Sequence, residues 1–217
     1  FENVSSLNNC SITYIKPYFL LIKGLLMHLK NLLRFEIILV FFAFPLFVDN
    51  TFASERYTIA NSKALKFTYF VSGVPLYGEF HVDTSYFTID FTEEQQSKFY
   101  IKVDIRKSTA GFPLATSAML GQSVLNANKY PFMEFKSTSI SKKDKGYRVS
   151  GLLKLKGIQK NIVIMVFTKD KYRKNAKTLM FEIMSSINRN DFGADGFPFL
   201  VGKEIKLNSS IELIRGD

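Results

Sequence analysis

The stretch Lys129–Phe167, KYPFMEFKSTSISKKDKGYRVSGLLKLKGIQKNIVIMVF, reads as three successive antiparallel strands. After Pro131, Met133 and Phe135 alternate with Glu134 and Lys136. From Tyr147, one face carries Tyr147, Val149, Leu153 and Leu155, and the other Arg148, Ser150, Lys154 and Lys156. Successive side chains of a strand point to opposite sides, so a period of two describes antiparallel strands with one dry and one wet face. KKDKG (142–146) reads as a polar hairpin turn, with Gly146 free to take positive φ. Gly157 marks the next turn. Ile162–Phe167 is apolar at every position and is expected to be the best-covered strand.

The same period extends outward in both directions. Leu65, Phe67, Tyr69 and Val71 share a face opposite Lys66 and Thr68, and Gly73 with Pro75 reads as the turn to the next strand. Phe87, Ile89 and Phe91 alternate with Thr88 and Asp90, and EEQQS (93–97) is a polar turn. FYIKVDIR places Phe99, Ile101, Val103 and Ile105 inside, with Lys98, Lys102, Asp104 and Arg106 outside. Toward the C-terminus, Leu179, Phe181, Ile183 and Ile187 face Glu182 and Asn188, and Ile205, Leu207, Ile211 and Leu213 alternate with Glu204, Lys206 and Glu212. KDKYRKNAK (169–177) reads as a solvated basic hairpin turn. Only Ser108–Asn128 breaks the alternation. There Leu114, Met119, Leu120, Val124 and Leu125 have helical spacing, which predicts one short helix through about 115–126.

The pattern therefore predicts an all-β fold of about eight antiparallel strands closed into a barrel, with one short helix. Closure removes the exposed sheet edges. A barrel of this strand number is either filled by its own side chains or holds one slender ligand, and alternation does not choose between them.

The start of the chain reads differently. Met27 is followed by a basic region (His28, Lys30, Arg34), the apolar run Ile37–Val48 and Thr51-Phe52-Ala53 with small residues at the −3 and −1 places. That order is expected of a secretory signal peptide over 27–53, and the run is too short to span a bilayer comfortably. Residues 1–26 read as an upstream extension, and 54–217 as one barrel domain. The single cysteine, Cys10, lies upstream of the expected cut, so no disulfide is expected in the barrel.

The chain carries 22 Phe, 10 Tyr and no Trp, with a net charge of +10. Residues 1–53 hold four basic and three acidic side chains, so residues 54–217 carry +9 of that. Lysines are scattered singly along outer faces, and no basic helix or RNP-like aromatic motif accompanies them, which argues against nucleic acid.

His81 is the one histidine after residue 53, set outward in GEFHVD between Phe80 and Val82. No G-x-S-x-G elbow accompanies it, and a zinc site needs more His or Cys than this. Asp191-Phe192-Gly193 spells a kinase tripeptide without the other kinase motifs. No enzyme, metal or cofactor is expected. Arg189 is left with two readings, pairing with Asp191 or meeting a ligand head group.

Several motifs together carry a resemblance. They are YP-x-x-x-F-x-S-T (Tyr130, Pro131, Phe135, Ser137, Thr138) and Y-x-V-x-G-x-L-x-L-x-G (Tyr147 to Gly157). The opening Y-x-I, S-x-x-x-x-F and G-x-F and the later R-x-D-F-G at 189–193 join them. The order and spacing resemble the YceI-like family of polyisoprenoid-binding proteins over roughly 57–214. The resemblance implies a lipocalin-like barrel, periplasmic or secreted, that holds a long apolar chain in its lumen. Many members end the helical insertion in a D-F or W-F pair, which this chain lacks.

The expected function is therefore non-covalent binding, transport or storage of a long-chain isoprenoid or other lipid in the periplasm. Candidate lumen residues, chosen by alternation, are Phe67, Tyr69, Phe80, Phe87, Ile101 and Val103 on the first strands, and Met133, Phe135, Leu153, Phe181, Ile183 and Leu207 on the later ones. Transient contact with a membrane surface and a homodimer are further expected partners. The alternative is a stress-related or structural envelope protein with a filled barrel and no ligand.

Overall fold

The structure is a computed structural model that describes residues 54–60, 64–168 and 175–216. The expected upstream extension (1–26), signal peptide (27–53) and most of the basic turn (169–177) lie outside the described residues. In chain order the strands are β1 (Glu55–Ile59), β2 (Ala64–Val71), β3 (Val74–Ile89), β4 (Lys98–Thr109), β5 (Phe132–Lys143), β6 (Gly146–Leu155), β7 (Ile158–Thr168), β8 (Thr178–Asn188) and β9 (Glu204–Arg215). One helix, α1 (Pro113–Leu120), stands between β4 and β5.

Every pairing is antiparallel, and neighbours follow the order β3-β2-β9-β8-β7-β6-β5-β4, with β4 returning to β3. The sheet is therefore closed, as the alternation predicted. The ninth segment does not widen it. β1 pairs with β3 at Glu55↔Ile89 and with β9 at Tyr57↔Arg215, while β2 pairs with β3 at Ala64↔His81 and with β9 at Phe67↔Leu207. β1 and β2 thus share one position between β3 and β9, and eight positions close the ring.

The inward faces form one apolar core. Tyr57, Val82, Ile105, Val103, Val149 and Leu213 are its most deeply buried apolar side chains among the strands. In β3 the inward parity changes from Phe80 and Val82 to Ser85, Phe87 and Ile89. A register shift between Val82 and Thr84 causes the change, since one extra residue flips all that follow to the opposite face. This bulge is why Phe80 and Phe87, of opposite parity, both point inward.

Four expectations need correction. The helix is shorter and earlier than 115–126. Pro113 opens it, because its fixed φ suits the first turn, and Gly121 ends it, leaving Val124 and Leu125 on the turns that follow. Pro75 is not in the turn. Ser72 and Gly73, with φ of 49° and 84°, form a two-residue hairpin turn whose positive φ matches the strand twist, and Pro75 pairs with Phe70. Ile162–Phe167 is not the best-covered strand, since only Ile164 and Val166 are buried and the outward residues are half-buried. Apolar composition on both faces therefore did not produce full burial on both.

Asp104 is the fourth case. It faces outward but is only 2% exposed. Arg106 covers it, donating from Nε to Oδ1 and from Nη2 to Oδ2, each at 3.0 Å. The charge-assisted bonds from Arg106, which outweigh burial, hold its carboxyl below the usual carboxylate range. Ser108 Oγ donates to the Asp104 carbonyl at 2.9 Å and accepts from the His81 backbone N–H at 3.1 Å. His81, Asp104 and Ser108 therefore meet through backbone groups that staple an irregular stretch of β4, with the carboxylate already taken by Arg106.

Candidate functional site

An up-and-down barrel places alternate connections at opposite ends. The β2–β3 turn, the α1 segment, the β6–β7 turn and the β8–β9 connection (189–203) lie at one end. Backbone bonds from Ser72 N to the Leu200 carbonyl and from Gly196 N to the Ser123 carbonyl, both 2.9 Å, join three of these. Lys156 Nζ donates to the Gly193 carbonyl and brings in the fourth.

Under this end lies a cavity of about 380 Å³. α1 lays Ala115 and Ala118 against it, three residues apart and so on one helical face. Small side chains there leave space that larger ones would take. Phe67, Tyr69, Phe80 and Met133 form strand walls, and Phe112, Leu114, Phe197 and Leu200 stand at the mouth. Phe67 and Phe80 stack with centroids 4.1 Å apart. Gly78 allows this arrangement, because a Cβ there would stand 2.3 Å from the Phe67 ring.

The wall offers little polarity. Tyr69 donates its hydroxyl to the Ala110 carbonyl at 2.8 Å, and burial pushes its phenol up, so it stays a neutral donor. Among the described residues, Arg189 is the one charged lining residue, and it is 4% exposed. Its Nε donates to the Gly202 carbonyl and Nη2 to the Val201 carbonyl, each at 2.9 Å, and Nη1 donates to the Ala194 carbonyl. Burial pulls the pKa of the guanidinium down, partly opposed by Asp195, yet arginine remains charged at neutral pH. Arg189 does not take Asp191 as its hydrogen-bond partner. It ties the β8–β9 connection to the end of β8, which is the structural half of the expectation in a different form.

The lumen narrows away from the mouth. A cavity of about 80 Å³ follows, sharing Phe67, Phe80 and Met133 with the first. Then comes one of about 30 Å³, sharing Ile101, Phe135 and Ile183 with the second. The far end holds a further small cavity of about 50 Å³, lined by Ile89, Phe91, Glu94, Tyr147 and Phe181. Glu94 sits in a 3-10 turn, Glu94–Gln96, accepts from the Tyr147 hydroxyl at 2.6 Å and pairs with Lys142 at 3.3 Å. Asp90 Oδ1 accepts the N–H groups of Thr92 and Glu93, each at 2.8 Å, fixing that turn.

The twelve residues expected in the lumen all line this series. Phe67, Tyr69, Phe80 and Met133 reach the large cavity. Ile101, Val103, Phe135, Leu153, Ile183 and Leu207 line the second. Phe87 and Phe181 lie at the narrow end. Alternation missed the mouth, because Phe112, Leu114, Ala118, Leu125, Phe197 and Leu200 belong to the helix and loops. One signal was available: FPL (112–114) and FPFLV (197–201) are apolar runs flanked by glycine, where solvated turns would be polar.

A closed antiparallel barrel, narrow toward one end and with a large apolar cavity beneath the other, is a lipocalin-like architecture. The chain belongs to the YceI-like family: residues 57–213 match its YceI-like domain. Among curated relatives, a UPF0312 protein of Yersinia pestis is 29% identical over 89 residues, 41% of this chain and 46% of that protein. The match thus spans about half the length of these relatives. BcnA of Burkholderia cenocepacia shares the fold with a TM-score of 0.61 at 19% identity, covering 71% of this chain and 98% of its own. The Campylobacter jejuni YCEI protein does so at 0.53 and 20%, covering 64% and 84%. A polyisoprenoid binding domain from Saccharophagus degradans, implicated in plant cell wall breakdown, gives 0.54 at 13%, covering 76% and 100%.

Proposed function

We propose that this barrel binds the long apolar chain of an isoprenoid or other lipid in its lumen and carries or stores it non-covalently in the periplasm. The observation that carries the reading is the cavity of about 380 Å³ with an apolar wall whose two polar side chains already have hydrogen-bond partners. Its size falls in the usual range of ligand pockets, about 300–1,000 Å³. Among the described residues, no buried side-chain polar atom lacks a partner, so water gains little by entering. A hydrocarbon chain gains about 0.8 kcal/mol for each CH₂ buried, or about 8 kcal/mol for ten carbons before ordering costs. Membership of the YceI-like family and the likeness to a polyisoprenoid binding domain support the ligand class. The order of residues 27–53 supports export. A filled barrel acting through its outer face would not need the large cavity.

The test is a fluorescent-lipid titration with a neutral long-chain probe. Ala118→Phe puts a ring into the cavity and should weaken binding about tenfold or more, because the ring displaces buried methylenes at about 0.8 kcal/mol each. Lys154→Glu on the outer face should leave affinity unchanged, and salt should matter little for a neutral ligand. Steep salt dependence with Lys154→Glu the more damaging change would place binding on the surface and overturn the reading.

A further inference from the structure

Among the described residues, eleven large hydrophobic side chains are exposed. Eight of them sit at the mouth end: Val74 and Tyr77 after the β2–β3 turn, Phe112 and Leu114 at α1, Ile158 after the β6–β7 turn, and Phe197, Phe199 and Leu200 in the β8–β9 connection. The other three, Tyr86, Met184 and Ile214, lie on the strand walls. Phe199 is fully exposed and Leu114 is 78% exposed. Exposed apolar residues scattered singly need no explanation, but a ring of them at one end does.

Four of the eight, Phe112, Leu114, Phe197 and Leu200, also line the large cavity. The apolar surface is therefore continuous from outside the barrel into the lumen. Lys129 and Lys203 stand exposed on the same connections, with the half-buried Lys156 held on the Gly193 carbonyl, against Asp191 and Asp195, and residues 54–217 as a whole carry +9. An apolar ring set among lysines matches a phospholipid bilayer, with acyl chains below and anionic phosphates at headgroup level.

We infer that the mouth rim is a membrane-docking surface: Phe112, Leu114, Phe197, Phe199 and Leu200 insert into an anionic phospholipid bilayer, so that a lipid passes between bilayer and lumen along apolar surface. This rests on the lipid-carrier reading above. Apolar insertion supplies most of the attachment, because the rim charges nearly balance, and the lysines add a part that salt screens. A second copy of the chain docked mouth to mouth is the competing occupant.

The protein has no tryptophan, so Phe199→Trp and, on the outer wall, Tyr86→Trp each supply a single reporter. Vesicles of phosphatidylcholine with phosphatidylglycerol should shift the emission of Phe199→Trp to shorter wavelength and leave Tyr86→Trp unchanged. Phe199→Asp, at a side chain that packs against nothing, should fold normally and load a fluorescent lipid delivered from cyclodextrin as wild type does. Its loading from vesicles should slow about tenfold or more, since one large buried apolar side chain corresponds to at least one decade of affinity. Failure to load from either source would sink the carrier reading, while the vesicle-induced shift of Phe199→Trp still decides docking. No shift with vesicles, a shift equal at both reporters, or a concentration-dependent shift without vesicles would overturn the inference, the last in favour of mouth-to-mouth pairing.

Discussion

Asp104 shows at the scale of one residue how the fold corrects a pattern. Alternation puts it outward, which is right, yet the irregular course of β4 bends Arg106 back over it and buries it. Its folded-state pKa is lowered, chiefly by the hydrogen bond from Arg106. A lowered carboxylate pKa stabilises the fold above the unfolded value, about 3.9, and that contribution is lost as pH falls from there through the folded value. Thermal melts of wild type should therefore lose stability below about pH 4. Asp104→Asn should be less stable at neutral pH and should lose less on acidification. Parallel acid profiles for the two proteins would show that Asp104 contributes nothing to acid sensitivity. Arg189 teaches the same point from the other sign. Its sequence neighbour Asp191 invited a salt bridge, but the guanidinium found three backbone carbonyls across the loop instead.

Strands were the legible elements, and turns and the helix were not. A strand with one dry face writes its register into every second residue, so Phe135, Leu153 and Ile183 could be placed inward from sequence. Bulges escape such reading unless both parities carry apolar residues, as Phe80 and Phe87 do on either side of the β3 shift. Val124 and Leu125 had helical spacing, but Gly121 ended the helix and backbone turns delivered them to the cavity. The mouth was missed for the same reason: loops bring together residues with no common period. One strand-level prediction concerns β5 and β6. Gly151 faces inward, and the Phe135 ring lies over it, so that a Cβ would stand 2.5 Å from the ring and 2.6 Å from the Lys136 carbonyl oxygen. The backbone contact cannot yield as a side-chain tip would. Gly151→Ala should cost about 1–3 kcal/mol, the usual range for overpacking a tight core. A urea melt measures it, and an unchanged midpoint would mean that the two strands part easily there.

Across the barrel domain, the lumen narrows from the mouth inward. The Tyr147–Glu94 hydrogen bond ties the narrow end, large aromatic and branched side chains occupy most of the middle, and small residues on α1 keep space beneath the mouth. The sequence established that a barrel forms, but whether its lumen is filled depends on how side chains from nine strands and a helix share volume. Native mass spectrometry of the protein purified without detergent from expressing cells reads occupation of that lumen. Besides the bare chain, the spectra should show a species heavier by the mass of one lipid, released on collisional activation and diminished in Ala118→Phe. Repeatedly empty spectra, or an adduct equally abundant in Ala118→Phe, would contradict lumen occupation.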